Sequence, residues 1–214
     1  MSEFTEAIKI GDAARVRELL EENPALLRSS ENDVTPLLFA IYHGKHDLAK
    51  LFVDRGAPVS FGEACALGDE PRVRELLLGD PTLLRSRTAD GFPPHSMAIF
   101  FGHGALARWL IEQGADVNAA AANAQRVSPL HAAAAVRDRE TMQLLLERGA
   151  DPNSRQQNEH TPLHGAASRG DIEMAKLLLA HGADRNAMSG DGLSVAAIAR
   201  KYRQNEFADW FESA

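Results

Sequence analysis

Apolar and small residues recur along the chain in a fixed order, separated by short polar stretches. The order occurs seven times, and successive starting residues are 33, 24, 34, 35, 33 and 33 positions apart: Ser2, Thr35, Val59, Pro93, Ser128, Thr161 and Ser194. A period of this length is typical of proteins built from stacked structural repeats. The pattern therefore predicts seven repeat units.

Each unit has the features of two consecutive helices. A Thr or Ser followed by Pro suits the start of a short helix, and a Gly nine residues after most starts suits its end. Seventeen residues after each start the residue is always apolar, which indicates a second helix with one buried face: Leu19, Phe52, Leu76, Leu110, Leu145, Leu178 and Phe211. Helices this short are not stable alone, so neighbouring units must stack. The predicted fold is an all-α repeat solenoid.

Part of the chain is an internal duplication. Residues 4–29 and 61–86 align without gaps, with 16 of 26 positions identical. In these two copies the second helices are expected to end at Pro24 and Pro81. The step between the second and third units is about nine residues short, so the loop near Gly56 should lack a hairpin and leave a gap or kink. Conversely, alanines at 119–122 lengthen the loop before Ser128.

Two units depart from the glycine rule. Arg137 and Arg203 stand where the other units have glycine at the end of the first helix. A left-handed residue at such an end is comfortable for glycine and costly for arginine. Both helix ends are therefore expected to be strained or differently shaped.

The repeat motif resembles that of the ankyrin repeat family. The sequence Thr-Pro-Leu-His-x-Ala-Ala-x-x-Gly at 161–170, followed by Leu-Leu-Leu-Ala-His-Gly-Ala-Asp-Arg-Asn at 177–186, is similar to it almost position for position. The units at 93–118 and 128–153 match nearly as well. The resemblance covers essentially the whole chain. It implies L-shaped units of two antiparallel helices with short β-hairpin loops, and protein binding through the hairpin tips and the first helices.

The whole chain, 1–214, is predicted to form a single solenoid. An uncapped solenoid would expose its stacking surface, so both ends need polar covers. We assign residues 1–32 to an N-terminal capping unit, 33–186 to internal units, and 187–214 to a C-terminal capping unit with charged helices.

Charge and composition narrow the choice of partner and compartment. Thirty acidic against 23 basic groups give a formal net charge of −7, which would repel nucleic acid. Residues 1–22 lack the apolar core of a signal peptide, and no stretch is long enough to span a membrane. The single cysteine, Cys65, excludes an intramolecular disulfide framework and is expected to be a buried thiol. We expect a cytoplasmic protein without nucleic acid or membrane partners.

Histidine is the residue type most open to a catalytic interpretation, and the structural interpretation is favoured. His131 and His164 lie in the Pro-Leu-His motif, where the resemblance implies hydrogen bonds to backbone and to the Thr hydroxyl. The pairs His43/His46 and His160/His164 have metal-ligand spacing, but no third ligand is evident. Motifs for a nucleophile, a phosphate loop or a dinucleotide are absent from the sequence. The sequence therefore predicts no enzyme, no metal and no cofactor.

The candidate site is a partner-binding surface at the ends of the first helices. The two residues before each helix-ending Gly should face the groove, and the residue before each unit start should lie near a hairpin tip on the same side. We place Phe100 and Phe101 at the centre of the site, with Arg169 as a polar rim; the full set is Tyr42, His43, Phe92, Phe100, Phe101, Val136 and Arg169. Exposed aromatic clusters of this kind anchor protein partners. The alternative is that loops near 57–60 cover the rings. Trp109 is expected to be core.

The predicted function is binding of another protein by a monomer, without catalysis. Two other classes stay open: a structural or self-assembling scaffold that uses its end faces, and a ligand-binding regulatory subunit of an enzyme. A deep closed pocket with several strongly shifted titratable groups would favour the ligand-binding class, whereas a broad groove would favour protein binding.

Overall fold

A computed structural model describes residues 2–31 and 34–213. Met1, Asn32, Asp33 and Ala214 lie outside the described residues. The predicted boundary between the N-terminal capping unit and the internal units falls at residues 32 and 33. This division of the chain into capping and internal units therefore stays a prediction.

The described residues form seven consecutive pairs of antiparallel helices. The first helices of the pairs are α1 (Glu3–Ile10), α3 (Pro36–Tyr42), α5 (Phe61–Leu67), α7 (Pro94–Phe100), α9 (Pro129–Val136), α11 (Pro162–Arg169) and α13 (Val195–Lys201). The second helices are α2 (Ala13–Glu22), α4 (His46–Asp54), α6 (Glu70–Gly79), α8 (Gly104–Glu112), α10 (Arg139–Glu147), α12 (Ile172–Ala180) and α14 (Asn205–Ser213). The predicted all-α repeat solenoid is confirmed.

The first helices stack on one another through small side chains. The alanine that follows each start by five residues is buried in every unit. Ala7, in the first unit, is 5% exposed, and the other six are fully enclosed: Ala40, Ala64, Ala98, Ala133, Ala166 and Ala199. A methyl group at the contact lets neighbouring helix axes approach closely. The buried apolar residues form one continuous cluster from Phe4 to Phe211. The chain is thus a single stack.

The helix starts follow the predicted frame except in the third unit. Ser2, Thr35, Ser128 and Ser194 each cap a helix by accepting a backbone N–H bond on the side-chain oxygen. The start predicted at Val59 is wrong by one residue, because Ser60 caps α5 and forms a reciprocal pair of hydrogen bonds with Glu63. A valine side chain has no acceptor, so the cap moves to the adjacent hydroxyl.

The two proline-ended helices and the short join are arranged as predicted. The helices α2 and α6 end at Glu22 and Gly79, and short 3₁₀ helices follow at Pro24–Arg28 and Pro81–Arg85. Residues 55–60 connect α4 to α5 without a hairpin. Among successive first helices, α3 against α5 is the least extensive contact. The hydroxyl of Thr35 donates to the buried carboxylate of Glu63 across this join.

The two arginines at glycine positions adopt the strained conformation. Arg137 has a φ of 59° and Arg203 a φ of 61°, both in the left-handed region. Neither helix end is reshaped to avoid it. The expectation of strain at these positions is therefore confirmed.

The hairpin loops are shorter than true β-hairpins. Outside residues 1, 32, 33 and 214 the chain has no extended strand, only isolated bridges between Glu31 and Val34 and between Met188 and Ser194. The loops are nevertheless joined to each other by backbone hydrogen bonds, from Ala122 to Gly91 (2.9 Å), from Gln157 to Gln125 (2.8 Å) and from Gly190 to Asn158 (2.7 Å). We call these linked loops, between 88 and 193, the hairpin row.

Candidate protein-binding groove

A groove runs between the first helices and the hairpin row, and it holds an apolar pocket with a volume of about 490 Å³. Three helices, α3, α7 and α9, contribute Tyr42, Ser96, Met97, Phe100 and Ala132 to the pocket, and the hairpin row contributes the rest of the wall. The pocket brings together three of the seven predicted site residues: Tyr42, Phe92 and Phe100.

The aromatic residues form a chain of ring contacts. Tyr42 stacks on Phe101, with ring centroids 5.9 Å apart and an interplanar angle of 29°. Phe101 meets Phe100 edge to face at 5.4 Å. Phe101 is half-buried against the core, whereas Phe100 is 53% exposed. Phe100 is therefore open to a partner, and Phe101 supports it from below.

Tyr42 is held in place by the first loop of the hairpin row. Its hydroxyl donates to the carboxylate of Asp90, and Thr88 donates to the other oxygen of the same carboxylate at 2.6 Å. Removal from water, and then the bond to Asp90, raises the pKa of Tyr42 well above its ordinary value. The phenol is therefore a fixed donor at neutral pH, and a loop contact covers part of its ring.

The other predicted site residues lie outside the pocket. His43 packs on the ring of Phe39, with centroids 4.4 Å apart. Val136 and Arg169 are exposed at the ends of α9 and α11, and the carbonyl of Arg169 accepts a hydrogen bond from Arg137. These residues extend the exposed side of the first helices, and none of the three lines the pocket.

Sequence reasoning missed most of the polar pocket wall. The missed lining residues are Asp90, Ser96, Met97, Gln125, Ala132, Gln156 and Gln157, whereas Val127 precedes a unit start and is expected near a hairpin tip. The glutamines belong to two different loops of the hairpin row, so no local pattern connects them. A signal did exist for Ser96, since it stands at the motif position that His131 and His164 occupy in later units.

The two motif histidines have the predicted structural role. His131 shares a hydrogen bond with Ser128 Oγ at 2.7 Å and another with the carbonyl of His160 at 2.9 Å. His164 bonds the Thr161 hydroxyl at 3.0 Å. Burial lowers the pKa of both imidazoles to about 4. His131 thereby ties α9 to the loop before the next unit, whereas Nε2 of His164 has no hydrogen-bond partner within the described residues.

The fourth unit lacks this arrangement. His95 is 1% exposed in a position where the second, fifth and sixth units have leucine, and neither ring nitrogen has a hydrogen-bond partner within the described residues. Burial lowers the pKa of His95 to about 4, outweighing the opposite influence of Asp116. The hydroxyl of the adjacent Ser96 is also enclosed and unpartnered. These are costly features in a core, which makes this unit exceptional.

Trp109 is not the core residue that the sequence predicts. It is half-buried at the outer surface, where the guanidinium of Arg74 lies 4.1 Å from its ring centroid. The neighbouring Leu78 is 86% exposed. Trp109 lines a surface pocket there together with Leu78, Pro81 and Leu84.

The structure offers little for catalysis or metal binding. Burial raises the pKa of the Cys65 thiol to about 12, which makes it a poor nucleophile. The described part of the chain holds no group of three or more His, Cys, Asp or Glu residues able to bind a metal. Across the same residues, every helix is too short or too polar to cross a lipid bilayer.

Seven stacked helix pairs, tied loops and an open groove define the class of helical repeat proteins that bind along one face. A family model described as "Ankyrin repeats (3 copies)" matches residues 61–156 and 130–211. The chain belongs to the ankyrin repeat family. Ankyrin repeats are generally protein–protein interaction modules, and the family is typically non-enzymatic.

One curated relative is "Ankyrin repeat, SAM and basic leucine zipper domain-containing protein 1" of Nomascus leucogenys. It is 35% identical over 96 residues, which is 41% of this chain and 19% of the relative. The chain thus spans about a fifth of that protein's length. The similarity concerns the repeats and supports the family assignment.

Proposed function

We propose that the protein binds a partner protein through the groove between its first helices and the hairpin row, as a monomer and without catalysis. The observation that carries the proposal is the exposure of Phe100 beside a pocket of about 490 Å³. An aromatic side chain that is half exposed next to a concave apolar surface is a common anchor for a partner.

Several features support a protein as the partner. The groove is open, and the titratable groups with strongly lowered pKa values, His95, His131 and His164, are enclosed in the stack and not grouped at an open cleft. The formal charge of −7 disfavours nucleic acid. A cytoplasmic location would agree with the single reduced cysteine.

The test compares two surface variants at the ends of first helices. Phe100→Asp changes the proposed anchor, and Ile10→Asp changes a residue that is 64% exposed at the end of α1, away from the pocket. Affinity capture from native cells with quantitative mass spectrometry should show partners that bind wild type and the Ile10 variant equally. The captured amount of the same partners should be at least about tenfold lower with Phe100→Asp.

The outcome can contradict the proposal in two ways. Equal capture by all three proteins, with unchanged circular-dichroism spectra, would remove Phe100 from the binding surface. Sedimentation at two concentrations tests the scaffold alternative, because concentration-dependent growth in mass would indicate self-assembly and not binding by a monomer.

A further inference from the structure

The pocket beside Phe100 exists because one motif side chain is short. In the fifth unit, His131 reaches from α9 to the carbonyl of His160, the last residue before the next unit. In the fourth unit the corresponding pair is Ser96 and Val127. A hydroxymethyl group does not span that distance, and both residues line the pocket of about 490 Å³.

The floor of this pocket has an unused polar group. Ser96 is 1% exposed, and its hydroxyl has no hydrogen-bond partner within the described residues. A buried hydroxyl can donate one hydrogen bond and accept two. Leaving all of these unmade is costly unless a ligand completes them.

The pocket carries one negative charge and no positive charge. Asp90 is the single charged residue among the described residues that line it. Its carboxylate accepts bonds from Tyr42 and Thr88, and in the described ranges no lysine or arginine forms an ion pair with it. A carboxylate has about four acceptor sites, so further donors can still bind.

The remaining wall suits a flat, delocalised cation better than a compact one. Phe92 and Phe100 present aromatic rings, and Gln125, Gln156 and Gln157 can offer amide oxygens. A guanidinium stacks on rings and donates in several directions, whereas an ammonium is a strongly hydrated point charge. The chain already stacks guanidinium groups on Trp109 at 4.1 Å and on Phe211 at 4.4 Å.

We propose that this pocket receives an arginine side chain of the partner protein, with the guanidinium bound by Asp90 and the alkyl stem packed against Phe92 and Phe100. The proposal rests on the proposed function and adds a specificity to it. Ser96 makes the pocket by being small, and Asp90 supplies the charge.

The test is a selection of random dodecapeptides displayed on phage, with the full chain as bait. Recovered peptides are synthesised, and their affinities are measured by fluorescence anisotropy. We expect a shared arginine in the peptides, and about tenfold or weaker binding when citrulline, which has the same shape without the charge, replaces it.

Three variants locate the pocket. Ser96→His introduces the side chain that His131 has at the same position of the fifth unit, and it should fill the pocket. Asp90→Asn removes the charge and keeps an oxygen that accepts the hydrogen bond from Tyr42. Each should weaken arginine peptides about tenfold or more. Ser96→Ala keeps the pocket empty and removes only the hydroxyl, so it should weaken arginine peptides by no more than about fivefold, which is less than the loss expected for Ser96→His.

The two proposals can fail separately. Peptides that need Phe100 but tolerate citrulline, Ser96→His and Asp90→Asn would overturn the arginine pocket and leave the groove as a binding surface. Recovery of no peptides, or of peptides that still bind Phe100→Asp, would count against both. Thermal unfolding of each variant confirms that it is folded. If Ser96→His does not fold, the effect of Asp90→Asn on peptide affinity tests the arginine pocket.

Discussion

The fourth and fifth units show opposite solutions at the same place in the repeat. In the fifth, Ser128, Leu130 and His131 cap the helix, fill the core and reach the next loop. In the fourth, Pro93 offers no side-chain cap, and His95 and Ser96 are buried without partners. The fifth unit therefore has the more stabilising side chains, whereas the fourth has destabilising ones next to an open pocket. This contrast separates structural positions of the repeat from positions free for recognition.

The largest expected effect is at the fifth unit's histidine. His131→Ala removes hydrogen bonds to Ser128 and His160 and leaves a cavity, so the free energy of unfolding should fall by about 3 kcal/mol. Ser96→Ala at the same position in the fourth unit removes a hydroxyl without a partner and should change it by less than about 1 kcal/mol. Urea unfolding measures both, and equal losses would erase the contrast between the two units.

The second effect is at His95 and depends on pH. His95→Leu places in the fourth unit the residue that Leu130 represents in the fifth, and it removes two unpartnered nitrogens. The variant should be more stable than wild type by about 1 kcal/mol at pH 8. At pH 5 the advantage should grow by about 2 kcal/mol.

The sign follows from the pKa of His95, which burial lowers from its ordinary 6.5 to about 4. Between those two values the unfolded chain binds the proton and the folded chain does not, so stability falls as the pH drops from 6.5 towards 4. His131 and His164 contribute in the same direction. Parallel urea curves at pH 8 and pH 5 check it; an advantage that shrinks at pH 5 would contradict the assignment.

The smallest effect is expected at the ends of α9 and α7, where the fifth unit and not the fourth has the unfavourable residue. Arg137 has a φ of 59° where the fourth unit has Gly102 with a φ of 84°. Arg137→Gly should stabilise the protein by about 0.5 kcal/mol, since relief of strain is offset by the entropy of glycine and the lost bond to Arg169. Gly102→Ala meets no neighbouring atom within 4 Å and should cost about 1 kcal/mol. Thermal melts resolve both, and stabilisation by Gly102→Ala would refute the reasoning.

The architecture was predictable because each unit obeys local rules. The buried alanines, the ends of α2 and α6 before proline, and the missing hairpin at residues 55–60 follow from spacing and backbone chemistry. The predicted start at Val59 was wrong because the repeat spacing places it one residue before the hydroxyl of Ser60, which caps the helix. The prediction that Trp109 is core was wrong because apolar periodicity does not reveal how fully neighbouring segments cover a helix.

The candidate site was predictable only where it lies on one helix. Phe100 follows from its place before the glycine of α7, and its exposure agrees with the prediction. The pocket wall joins Asp90 to Gln125 and Gln156, which belong to three successive loops. Their proximity depends on how the loops pack, and no pattern within one repeat contains that information.

The short join between α4 and α5 divides the stack mechanically. Among the described residues, the backbone bonds between loops begin at Gly91, and the side-chain bond from Tyr42 to Asp90 connects α3 to the hairpin row. The contact of α3 with α5 is its thinnest with a neighbouring first helix. Cooperative units separate where neighbour contacts are weakest. Amide protons of α1 to α4 should therefore exchange with deuterium sooner than those of α7 to α11, and fraying of the protein should advance from its N-terminal side.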